Sequence, residues 1–204
     1  MRHSLWLILF LLASGLAPGA RAQSGRQKSA ATPPAAAATP AAEPEGDSAW
    51  REFFSTMGGF SVLMPGEPWR DMVPLETGLG VLRTQVFKVE TAVAVYILMY
   101  TDFPEELVTD DDPRGSLDAA VKKLKEDNKG KLLFEADIAL DNFPGRRLKI
   151  EEADTFFWAR VYAVGRRFYQ VFVVTRKAPA ASPKLAELYE TTALRFLDSF
   201  KLRQ

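Results

Sequence analysis

FFWARVYAVGRRFYQVFVVT, residues 156–175, holds two aromatic and β-branched runs around the pair Gly165-Arg166. Such runs suit the pleated, half-buried surface of a sheet. A glycine in the first position of a two-residue loop suits a type II′ hairpin. That turn would pair Val164 with Arg167, Ala163 with Phe168 and Phe157 with Val174. Side chains alternate along a strand, so Phe157, Ala159, Val161, Ala163, Phe168, Gln170, Phe172 and Val174 share one face, polar only at Gln170. Burying the large apolar members contributes about 1.5–3 kcal/mol each. The opposite face is amphipathic, with its polar groups nearer the turn: Trp158, Arg160, Tyr162, Val164, Arg167, Tyr169, Val171 and Val173. Trp, Tyr and Arg are enriched at interface hot spots. Trp158, Arg160, Tyr162 and Tyr169 are therefore the candidate binding residues, the competing reading being that a helix covers them. Arg167, beside the turn, is expected to tolerate alanine at a cost below about 1 kcal/mol.

Composition narrows the chemistry. The 204 residues carry 26 Lys+Arg and 26 Asp+Glu, no cysteine, and one histidine, His3. A neutral chain has no field that selects nucleic acid or a membrane surface. Without Cys, and without His beyond residue 3, Ser-His-Asp triads, Cys-His pairs and His- or thiolate-held metals are excluded. No cofactor, catalytic residue or metal ligand is expected.

Residues 1–22 read as a secretory signal, with Arg2 and His3, the apolar run LWLILFLLA at 5–13, and Ala20-Arg21-Ala22 as the cleavage site. The apolar run falls short of the about 20 residues that span a bilayer, so no stable membrane insertion is expected after cleavage. An uncleaved anchor is the alternative. Residues 23–49 form an Ala/Pro-rich linker without core-forming side chains. The globular domain is expected over residues 50–204.

Within the domain, residues 51–57 suggest a short helical lead-in, and Phe60–Met64 a strand. Pro68-Trp69 continues as an extended segment closed by Pro74. The glycines at 58, 59 and 66 match no phosphate-loop spacing and read as turns. Val81–Val89 and Ala92–Tyr100 form a strand pair. The second of these is apolar on both faces and so central, and Glu90-Thr91 is poor chemistry for a two-residue turn. Thr101–Gly115 is an acidic loop. Asp110, Asp111 and Asp112 invite calcium, but the D-x-[DN]-x-[DN]-G pattern is absent.

Ser116 would cap a helix over Leu117–Asn128, with Leu117, Ala120, Val121 and Leu124 as its apolar stripe and Gly130 as its stop. Strands follow at Lys131–Leu140 and Arg146–Glu152, around turns at Asp141-Asn142 and Pro144-Gly145. Glu151, Glu152 and Asp154 are the densest carboxylates at a strand end, but adjacent strand residues point apart, which argues against an acid-base pair. A closing helix opens at Ser182-Pro183, with Leu185, Leu188, Tyr189, Thr192, Phe196 and Phe200 as its stripe.

Strands, a helix, more strands and a last helix, joined by short hairpins, make an α+β domain: a mostly antiparallel, twisted sheet flanked by helices. FSVLMP at 60–65 with Trp69, RVYAVG at 160–165 with Phe168-Tyr169-Gln170, and RFLDSFKL at 195–202 as the closing helix resemble the PsbP-like superfamily. Within it the chain is similar to exported bacterial proteins of the DcrB and LpqN type. The resemblance implies an α/β/α sandwich and a non-enzymatic, exported binding or assembly-support module with no shared catalytic residue. The lipobox cysteine of the lipoprotein members is missing, as are histidines for metal, so neither metal binding nor photosystem attachment carries over. Three functions compete: a periplasmic or secreted contact protein for an unknown envelope partner, a carrier whose pocket between sheet and helix would take a small apolar ligand, and a hydrolase built on carboxylates alone.

Overall fold

The computed structural model describes residues 49–77, 80–105 and 113–203. The signal, most of the linker and the aspartates at 110–112 lie outside them.

Seven strands form one antiparallel sheet: β3 (Trp69–Thr77), β4 (Gly80–Glu90), β5 (Ala94–Asp102), β6 (Lys131–Leu140), β7 (Phe143–Glu151), β8 (Thr155–Val164) and β9 (Arg167–Arg176). Their spatial order is β3-β4-β5-β9-β8-β7-β6. Two meanders therefore meet where β5 pairs β9, in a register that sets Tyr96 opposite Val173 and Leu98 opposite Val171. The β8–β9 hairpin has the register its sequence implies, Phe157 to Val174 through Val164 to Arg167. Of the two turn residues only Gly165 takes a positive φ, 55°, as a type II′ turn requires. β5 is central and almost wholly buried, as its two apolar faces imply.

A second sheet is small, with order β1-β2-β10, from β1 (Arg51–Ser55), β2 (Phe60–Met64) and β10 (Lys201–Leu202). Helix α1 (Pro113–Asp127) lies on one face of the large sheet, and α2 (Pro183–Ser199) lies with the small sheet on the other. Under α1, Leu117, Val121 and Leu124 meet Leu148, Ile150 and Phe157. On the other face Phe60, Phe196 and Phe200 meet Tyr96, Tyr169 and Val171. The alternation of strand side chains gives each face its own core.

Several local expectations are corrected. Residues 51–55 are strand β1, not a helical lead-in: an isolated helical turn does not sustain itself, whereas β2 offers an edge to pair with, Phe53 opposite Val62. Pro74 does not close its segment but lies within β3. β3 is an edge strand, where a missing N–H costs no ladder bond. The β4–β5 connection is longer than two residues, in keeping with the poor turn chemistry of Glu90-Thr91, and β5 starts at Ala94 rather than Ala92; the Thr91 hydroxyl accepts from Ala94 N at 3.1 Å. α1 begins at Pro113 rather than beyond Ser116 and ends at Asp127, before Gly130. Pro144-Gly145 lies inside β7. A Cβ at Gly145 would stand 2.5 Å from Tyr162 Cδ1, so this glycine lets the tyrosine ring lie across the neighbouring strand. Ser182 precedes α2 but makes no side-chain cap bond. Only Ala193, Phe196 and Leu197 of α2 are buried, and Leu188 is exposed. The closing helix stops at Ser199, Phe200 turns extended, and Lys201–Leu202 pair with Ser61 and Phe60.

Candidate functional site

Three of the four candidate residues are deeply placed: Trp158, Tyr162 and Tyr169 are 8%, 3% and 2% exposed. The face expected to be an open contact surface is covered by α2 and the small sheet. The reason is strand order. β8 and β9 sit inside a seven-stranded sheet, so both faces of the hairpin have a layer above them.

Tyr169 and Arg160 spend their polar ends on that covering layer, Trp158 bonds within the sheet, and Tyr162 packs its ring. Tyr162 stacks on Phe200, with centroids 5.7 Å apart. The Tyr169 hydroxyl donates to Gly58 O at 2.6 Å, and Trp158 Nε1 donates to Thr175 Oγ1 at 3.4 Å. Arg160 reaches the end of α2, donating to Leu197 O at 3.1 Å and pairing with Asp198. Burial pushes the phenols of Tyr162 and Tyr169 above their ordinary pKa, so both stay protonated.

Arg167 forms a second tie. Its Nε and Nη2 donate to the two carboxylate oxygens of Asp102 at 2.5 and 2.7 Å, and Nη1 donates to Met57 O at 2.9 Å. Its guanidinium lies 4.6 Å from the centre of the Tyr100 ring. The bond to Asp102 raises the Arg167 pKa. One side chain thus joins β5, β9 and the loop after β1, a role its neighbourhood to a turn did not reveal.

What stays open is the part of the α2-facing surface beyond α2, on β6 and β7. Lys149 sits 3.7 Å from the Trp158 ring centre and 4.8 Å from that of Phe156, with Glu190 of α2 at 3.5 Å. Lys177 pairs with Glu151 at 2.9 Å. Arg147 lies directly across from Arg160, and its guanidinium leans 4.7 Å over Phe134 on β6. Among the described residues no carboxylate stands within ion-pair distance of Arg147.

On the α1 side, Arg146 is ringed by carboxylates. It donates to Glu135 at 2.9 Å and Asp118 at 2.6 Å. Its Nε stands 2.7 Å from Asp137, an ion pair without hydrogen-bond alignment. Lys125 of α1 donates to Glu135 at 2.9 Å.

These carboxylates are poorly suited to proton transfer. The Lys125 ammonium, with Arg146, holds Glu135 below the usual carboxylate range, and Lys177 does the same for Glu151. Glu152 accepts from the Thr155 hydroxyl at 3.2 Å, while Glu151 is taken by Lys177, so the acidic strand end does not converge. Among the described residues no group of three His, Cys, Asp or Glu side chains could hold a metal ion.

A seven-stranded antiparallel sheet with one helix on one face, and a helix plus a three-stranded sheet on the other, is the PsbP-like fold. The chain is similar to the solution structure of cyanobacterial PsbP from Synechocystis sp. PCC 6803, with a TM-score of 0.50 and 16% identity over 77% of this chain and 94% of that one. A Pseudomonas aeruginosa protein of unknown function, described as a putative regulator, is similar at a TM-score of 0.34 and 10% identity over 70% of this chain and 92% of that one. That second likeness is too loose to carry an argument. No protein-family model and no curated protein matches the chain.

Proposed function

We propose that this is an exported, non-enzymatic protein that works by contact, as a binding or assembly-support module of the cell envelope. The observation that carries the proposal is how the polar side chains are used. Arg146, Arg160 and Arg167 each tie separate elements together. Glu135, beside Lys125 and Arg146, and Glu151, beside Lys177, are held low rather than raised toward neutrality, whereas a general acid needs a pKa near the working pH. The chain beyond residue 3 contains no His or Cys. No helix among the described residues is long and apolar enough to cross a membrane.

Export follows from the leader at 1–22, and the folded unit is proposed to begin near Trp50. The mature chain would start at Gln23, which the intact mass of the exported protein checks. Brief proteolysis would trim it to a core beginning between Pro44 and Arg51.

Contact is tested by photo-crosslinking in the source cell, with a benzophenone side chain placed in turn at Phe134, Arg147 and the exposed Phe54. A discrete adduct from one patch supports the reading. Turnover of glycosides or esters by the purified mature chain, abolished by Glu135→Gln or Glu151→Gln, overturns it. The carrier alternative would require the rings of Tyr162, Tyr169 and Phe200, which now pack on one another, to part around a ligand.

A further inference from the structure

The large sheet has two outer strands, and they are protected differently. β3 carries Pro74, a residue that discourages a further strand from adding; both edges carry charged side chains. β6 has no proline. It has one irregularity, a register shift between Leu132 and Phe134, and beyond it Phe134–Leu140 pairs regularly with β7. Among the described residues nothing pairs with the outer edge of β6, so along those residues its outward N–H and C=O groups have no strand partner. Phe134 is 43% exposed, and Leu132 and Leu133 beside it are open as well.

Charge is laid out asymmetrically about this edge. On the α2-facing side Arg147 lies between Arg160, across the strand pair, and Lys149, two residues along its own strand. Like charges directly opposite one another destabilise a sheet. Asp198 answers Arg160 and Glu190 answers Lys149, while among the described residues Arg147 has the Phe134 ring and no carboxylate. Because Phe134 belongs to β6, the guanidinium is carried toward the free edge. Its planar fork suits a carboxylate held in two parallel hydrogen bonds. On the α1-facing side, Glu135, Asp137 and Asp118 share two cations, Lys125 and Arg146, and Asp137 is 71% exposed in its side chain.

This layout disfavours a second copy as the occupant. Two β6 strands paired antiparallel keep the same face upward, so Glu135 and Asp137 of both copies would gather on one side. We propose that β6 is a strand-addition site, which takes one extended segment of a partner protein onto Phe134–Leu140 and seats an acidic side chain of that segment against Arg147. The inference rests on the contact reading above and names the partner's chemistry: main-chain hydrogen bonds give the affinity, and the carboxylate sets which face is up.

The test is a titration of the ¹⁵N-labelled mature chain, followed by amide shifts, with the acetylated and amidated peptide Val-Glu-Val-Glu-Val-Glu-Val. Shifts concentrated in Phe134–Leu140, weakened at least tenfold by Arg147→Glu and partly kept by Arg147→Lys, are expected. A peptide N-methylated on every residue should not bind, and added salt should weaken the unmodified one. Binding unaffected by Arg147→Glu, shifts centred elsewhere, or no shift at millimolar peptide overturns the proposal. So does peptide-free self-association that moves the same amides, which would make the occupant a second copy. The Arg147 variants are checked for folding by their own amide spectra. Failure here, with the crosslinked adduct intact, removes the strand-addition site and leaves the contact function standing.

Discussion

Phe172 lies at the sheet centre under α1, 2% exposed, against Phe157 at 5.2 Å. Its position follows from alternation alone. Phe172→Ala should destabilise by about 3–5 kcal/mol. Arg167 looked replaceable because it adjoins a turn, but its fork holds both oxygens of Asp102 and the carbonyl of Met57. Charge-assisted hydrogen bonds of this kind are worth about 1.5–3 kcal/mol when well formed, and partial exposure reduces that. Arg167→Ala should therefore cost on the order of 1–2 kcal/mol, with Arg167→Lys in between because it keeps the charge and loses the fork. Urea midpoints of the two variants check both values. An Arg167→Ala midpoint indistinguishable from the parent would return the side chain to the ordinary surface.

At the scale of elements, hairpins were legible and long-range partners were not. The β8–β9 register is local: a glycine turn and two alternating runs contain all of it. β5 was legible as a central strand because both its faces are apolar. β1 and β10 were missed for different reasons. β1 is the exception among the hairpins, because its five residues, REFFS, show no apolar–polar alternation although β2 follows directly. β10 is two residues long and pairs with β2 from the far end of the chain. The Arg146 cluster is also long-range, since Asp118 and Glu135 reach Arg146 from α1 and β6.

That cluster has a pH signature. Lys125, with Arg146, lowers the Glu135 pKa below its unfolded value near 4.5. A depressed carboxyl pKa gives stability that is full above the unfolded value and lost as pH falls through the folded one. The urea midpoint should hold steady from pH 7 to about 5 and then fall with acid. Lys125→Met should flatten that fall, and α1 amides should lose exchange protection first. An acid response unchanged by Lys125→Met would place the sensitive carboxylates elsewhere.

For the whole molecule, the order β3-β4-β5-β9-β8-β7-β6 governs what is open and what is hidden. Nothing within residues 156–175 states that β9 will pair β5, so nothing there states that Trp158, Tyr162 and Tyr169 will be roofed over. The candidate contact face had the right residue types in a position that only strand order could define. The open region lies one strand and more away, on β7 and β6, where the sequence reads as an ordinary alternating pair. The same order sets cooperativity. Both cores hang on one sheet, with Val161 facing α1 and Val171 facing α2, so loss of either exposes the other. Val161→Ala and Val171→Ala should lower one common transition, seen alike by far- and near-ultraviolet dichroism. Two separated transitions would mean that the cores unfold independently.

The small sheet also determines how the protein would bear load. β1 and β10 flank β2 and are both antiparallel to it, so they run in the same direction. Arg51 lies at the Met64 end of β2 and Leu202 at the Phe60 end. Tension applied between residues 50 and 203 would draw the outer strands in opposite directions along β2. It would strain each ladder in shear, with its hydrogen bonds sharing the force instead of opening one after another. The shorter ladder, Lys201 and Leu202 on Ser61 and Phe60, is the first to slip. Optical-tweezer traces pulled through these residues should show an early, small extension as β10 leaves, before the main rupture. Pulled instead between residues 131 and 151, at the open end of the β6–β7 hairpin, the strands would be peeled apart bond by bond and at lower force.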